Sequence, residues 1–165
     1  MRYRMPGRHC TYLLDKCHGY GMTSPPFHVG DFVWCAFPES ENPARPSRHH
    51  HVSYILAASA EQAIVAYTTS QPLRHVAGRP GVIHFSAEHA ANLGQTREFW
   101  LHLWRVGHLP VTPVWFPGLS DPANVVVGRV SQTMRRELEA KTKEVFSRHR
   151  PETEQLGPLR PRGGE

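Results

Sequence analysis

The sequence predicts a mainly β protein: a small, strongly bent β-sheet or barrel with a C-terminal amphipathic helix. Three observations lead there. Short segments rich in β-formers follow one another between residues 32 and 106, parted by loops of Pro, Gly and charge. The run TREFWLHLWRV at 96–106 alternates with the two-residue period of a strand. From residue 126 to 148 the period becomes helical. Strands in succession followed by one helix suit a single curled sheet with a helix laid against it.

Taken in order, residues 32–37 are β-formers throughout, with Phe32, Trp34 and Ala36 on one face and Val33, Cys35 and Phe37 on the other. Both faces are apolar, which predicts burial on both sides. Residues 38–48 hold four charges and three prolines among eleven positions, which no ladder tolerates, so this is a loop, made basic by Arg45 and Arg48. Residues 52–56 and 63–67 are two further strands joined closely enough for a hairpin, and antiparallel pairing would set His51 beside Thr68. A short strand is expected at 81–86, and a helical turn or loop at 87–92 ended by Gly94.

The 96–106 strand sets Phe99, Leu101, Leu103 and Arg105 against Trp100, His102, Trp104 and Val106. Residues 107–118, with Pro110, Pro113 and Pro117, read as irregular apart from a short edge segment at 114–116. Val130, Met134, Leu138 and Val145 form the apolar stripe of the helix. Residues 151–165 are rich in breakers and read as a solvated tail. The domain expectation is one folded unit at 28–148, an N-terminal extension at 1–27 that is disordered or, with Met22 as the start, untranslated in part, and a disordered tail at 149–165. A chain of 165 residues suits one such domain.

The formal charge is +5 and the isoelectric point about 9.4, which favours an anionic partner. No apolar run approaches the roughly 20 residues that span a bilayer, and the N-terminus lacks a signal-peptide core. A cytoplasmic protein with no membrane partner is expected. Three cysteines, Cys10, Cys17 and Cys35, are too few for a disulfide framework. Cys10 and Cys17, flanked by His9 and His18, lack a second pair at zinc-finger spacing, so neither a metal nor another cofactor is expected.

Several motifs occur in a telling order: the opening Gly30-Asp31-Phe32-Val33-Trp34, a basic loop, a strand from His51, a strand ending Thr68-Thr69-Ser70-Gln71, then a Gly-Val-Ile strand, a Thr-x-x-Phe-Trp-Leu strand, Leu109-Pro110 and Trp115-Phe116. In this order they resemble the MazF/PemK-like toxins of type II toxin-antitoxin pairs, in particular the PemK-like branch, over about residues 29–118. The resemblance implies an SH3-like β-barrel that forms a homodimer, cuts single-stranded RNA without a metal, arrests growth, and is held in check by an acidic antitoxin protein. Thr68 falls on the family's Thr. The family's Arg falls on His51, because this chain has HVSYIL where Arg-Pro usually opens the second strand.

Metal-independent cleavage uses the substrate's 2′-OH as nucleophile and needs a base, an acid and positive charge on the phosphoryl oxygens. The candidate catalytic residues are therefore Thr68 for positioning, His51 for proton transfer and Arg48 for fixed charge. Arg45, Thr69, Gln71, Arg74 and Arg79 could track RNA phosphates, and Trp115, set among prolines, is the indole expected to be exposed for base stacking. Taken singly, each has a plainer reading: Thr68 as a strand-end β-former, His49–His51 as a solvated run, the arginines as loop charge. The replacement of the family's Arg by His51 also admits a relative without catalysis that binds RNA or protein, and some relatives sharing the fold act on gyrase instead.

Overall fold

The computed structural model describes residues 24–76, 78–148 and 152–161. The strands are β1 Asp31–Cys35, β2 His51–Ala58, β3 Gln62–Thr69, β4 Val82–Phe85, β5 Phe99–Pro110, β6 Gly128–Arg129 and β7 Glu154–Leu156, with helices α1 Ala87–Asn92 and α2 Gln132–Arg148. They make one sheet in the order β4-β5-β3-β2-β1-β6, antiparallel throughout, while β7 joins β5 in parallel. The sheet is a strongly curled half-barrel, and the protein is mainly β with one long helix near its C-terminal end.

Two irregularities accompany the curl. Between Ile55 and Ala57, Leu56 is an extra residue in β2. Along β5 the partner of Ala66 is Val106 but that of Tyr67 is His102, so Leu103, Trp104 and Arg105 have no partners on β3. Extra residues in one strand bend it and raise its twist. The expected alternation accordingly holds only to Leu103. Trp104 joins Phe99, Leu101 and Leu103 in one core instead of lying opposite them.

Both faces of the sheet are covered. One core gathers Phe32, Tyr54, Phe85, Phe99, Leu101 and Leu103 with Leu138 and Val145 of α2, and Val130 and Met134 pack at its margin. The other gathers Phe27, Val33, Cys35, Phe37, Ile55, Val65, Leu109, Trp115, Phe116 and Leu156. Gly81 fits α2 against β5: its φ is +84°, and a Cβ there would lie 2.5 Å from Val145 Cγ2.

Several expectations are corrected. Trp34 is 40% exposed although its neighbours Val33 and Cys35 are buried, so β1 is not covered along its whole length. Strand β5 runs on through Gly107 to Pro110, where irregular chain was expected, because Gln62–Ala66 of β3 continues to pair with it. The helix begins at Gln132, not at 126, since residues 128–129 pair with β1 instead. The region read as a tail supplies β7, with Leu156 buried. Phe27, placed in the N-terminal extension, is fully buried against Phe116, so the packed unit begins before residue 28. The expectations for residues 1–23, including Cys10, Cys17 and the start at Met22, lie outside the described residues. No helix among the described residues is long and apolar enough to cross a membrane.

Candidate functional site

The first residue of β2, the end of β3 and the middle of β5 come together on one face of the sheet. The His51 ring lies with its centroid 5.2 Å from that of Tyr67. Tyr67 faces His102 directly across the β3–β5 ladder, which puts those two side chains on the same face. The three-residue irregularity then returns Arg105 over the same ring, its Cζ 4.7 Å from the Tyr67 centroid and 5.6 Å from that of Phe37. A guanidinium over two aromatic faces is held by the ring quadrupoles as well as by its ion pair. Arg105 Nε lies 3.1 Å from Glu154 Oε2, its Nη2 donates to Ser40 Oγ at 3.2 Å, and the Ser40 hydroxyl donates to Glu154.

Both imidazoles are held neutral at pH 7. Burial pushes the His51 pKa down, and the charge of Arg105 adds to this, with smaller contributions from His49 and His50 in the same direction and Glu39 opposing. His102 is pushed down to about 4, again mainly by burial, then by Arg105 and Arg79, with Glu154 opposing. Its Nε2 is enclosed and has no hydrogen-bond partner among the described residues. A neutral imidazole can accept a proton, and a phosphate brought against Arg105 would raise both pKa values by supplying the opposite charge.

Of the expected catalytic residues, Thr68 and His51 are linked only through the backbone: the His51 ring packs on Tyr67, and alternation along β3 sends the Thr68 side chain to the opposite face. Thr68 is buried and its hydroxyl donates to the carbonyl of Val52, the residue after His51. That bond ties the end of β3 to the start of β2. Arg48 is exposed in the turn before β2, and the guanidinium that acts on His51 is that of Arg105. Arg45 is exposed in the same loop, and Arg74 is exposed in a short 3-10 turn after β3. Thr69 Oγ1 accepts from the backbone N–H of Gln71 at 3.1 Å, which folds the Thr-Thr-Ser-Gln end into a tight turn. Arg79 lies on the indole of Trp104, Cζ 3.4 Å from the ring centroid, and pairs with Glu152 at 3.2 Å.

Trp115 is the misplaced member of the set. It is 5% exposed and belongs to the second core, because its carbonyl accepts from Ala36 N–H and draws the proline-rich loop onto β1. The exposed indole is Trp34, which lines a shallow surface pocket with His50, Pro117, Asp121 and Asn124.

Sequence reasoning assigned no role to Tyr67, His102 or Arg105. The signal was present in TREFWLHLWRV, where a His and an Arg interrupt an otherwise apolar alternation, but their convergence depends on the irregular ladder. Among the described residues, no three His, Cys, Asp or Glu side chains converge as metal ligands would. A scan against protein-family models gives no match, and no curated protein sequence matches the chain.

Proposed function

We propose that this chain is a MazF/PemK-like toxin, an SH3-like barrel that cuts single-stranded RNA without a metal, working as a homodimer restrained by an acidic antitoxin. The motif order from Gly30 to Phe116 supports the family, and the observation that carries the chemistry is the grouping of His51, Tyr67 and His102 around the Arg105 guanidinium. In this reading a phosphate seats on Arg105, with Arg48 adding charge from the loop. His51, at the start of β2, takes the 2′ proton. The bound phosphate raises the pKa of His102, which takes up a proton from solvent and gives it to the departing 5′ oxygen. Thr68 positions His51 through the Val52 carbonyl.

Purified protein incubated with single-stranded RNA in a chelator is expected to leave 2′,3′-cyclic phosphate ends. His51→Ala and Arg105→Ala should each lower the rate by about a hundredfold or more. Intact RNA after incubation with wild type removes the nuclease reading. A second reading, a binding module for RNA, is favoured by one observation: the Thr68 hydroxyl is buried and committed to the backbone. It predicts a gel shift of the same RNA with no cleavage and no growth arrest on expression.

A further inference from the structure

We infer that Arg79 and Arg105 form a two-point phosphate site, and that residues 152–161 act as a strap whose Glu152 and Glu154 occupy it. This rests on the RNA-binding reading for the identity of the ligand, but the site itself is defined by the geometry. Arg79 stacks on Trp104, the neighbour of Arg105 in β5, and the acids that the two guanidiniums meet lie two residues apart in the chain. Each is stacked on an aromatic surface, Arg79 on Trp104 and Arg105 on Tyr67 and Phe37. Stacking holds a planar fork in place and leaves its N–H edge for an oxyanion. In this structure the oxyanions are carboxylates, Glu152 on Arg79 at 3.2 Å and Glu154 on Arg105 at 3.1 Å.

The strap is anchored apart from these two groups. Glu154, Gln155 and Leu156 pair in parallel with Arg105, Val106 and Gly107, and Leu156 enters the second core. Gly157 N–H donates to Pro43 O at 2.6 Å, and Leu159 N–H donates to His108 O at 3.2 Å. The φ of Gly157 is +95°, and a Cβ there would lie 2.2 Å from His108 O, so the chain crosses β5 in direct backbone contact. By contrast, the Glu152 and Glu154 side chains are 57% and 41% exposed. Carboxylates that keep this much water are held weakly, and a phosphodiester can displace them while the anchors stay seated. The anionic strand would thus exchange with the strap's own acids on the same two arginines.

The test neutralises the acids and keeps the strap. Glu152→Gln/Glu154→Gln is expected to bind inorganic pyrophosphate and a labelled oligouridylate about tenfold more tightly than wild type at low salt, the change expected when two competing charges are withdrawn. Adding Arg79→Ala and Arg105→Ala should abolish the gain. Glu137→Gln/Glu144→Gln on α2, with the same change in net charge, should show none. The proposal is overturned if the strap variant, with a native circular dichroism spectrum, binds both probes no better than wild type, or if the gain survives loss of the two arginines or appears equally in the α2 control. Tighter pyrophosphate binding with unchanged oligouridylate binding keeps the site and removes RNA as its ligand. Oligouridylate binding that is strong and equal in every variant keeps the RNA reading and overturns the strap.

Discussion

His102 shows how one side chain can be both a chemical group and a stability switch. Its pKa in the fold is about 4 against an ordinary 6.5. A base whose folded pKa lies below its unfolded value binds fewer protons when folded. Its contribution to stability is therefore complete above pH 6.5 and is lost as pH falls from there toward about 4. His51 acts in the same direction, again through burial. Urea midpoints at about pH 7 and about pH 5 should differ less in His102→Gln than in wild type, and an equal difference in the two proteins would contradict the assignment. That the His51 end of β2 lies beside the Thr68 end of β3 follows from the hairpin spacing, although the two side chains take opposite faces. The place of His102 was not legible, because which β5 residue faces Tyr67 depends on three residues that the ladder skips. No local period reports such a skip.

Strands β1 to β5 and α2 were legible as elements, because each carries its own periodicity, whereas 87–92 read as a helical turn or loop and its cap lies in the fold. Ser86 accepts from His89 N–H at the start of α1, as an N-cap residue does. What escaped was held by distant pairing. The two residues of β6 are a strand only because Asp31 and Phe32 pair with them, and β7 has three residues with no pattern of their own. Trp115 failed for a related reason: prolines around it suggested a solvated loop, yet one backbone bond to Ala36 turns its ring inward. Trp115→Ala should cost about 3–5 kcal/mol in urea unfolding, as expected for a buried ring, whereas Trp34→Ala should stay within about 1 kcal/mol. A reversed order would mean that the proline-rich loop is not packed as described.

At the scale of the whole molecule, the sheet separates two cores that draw on different parts of the chain. The first is closed by α2 and the second by the strap. Leu156→Ala should therefore lower stability by about 2–5 kcal/mol and release the strap, which hydrogen exchange at Val106 and Gly107 would report; unchanged protection there would show that β7 is not held by that side chain. The basic charge that suggested an anionic partner is real, but among the described residues five of its arginines, Arg79 and Arg105 with them, are already matched by acids of the chain itself. Net charge alone could not reveal that, because it carries no information on which charges meet.

Gly157 crossing beneath the His108 carbonyl has a consequence for the order of assembly. β7 follows the other described strands in sequence, and it pairs with a strand synthesised well before it. Contacts so far apart in sequence form late. A nascent chain that has completed β5 and α2 but not yet β7 would present Arg79 and Arg105 without their carboxylates, so the strap would quiet the guanidiniums only as β7 docks.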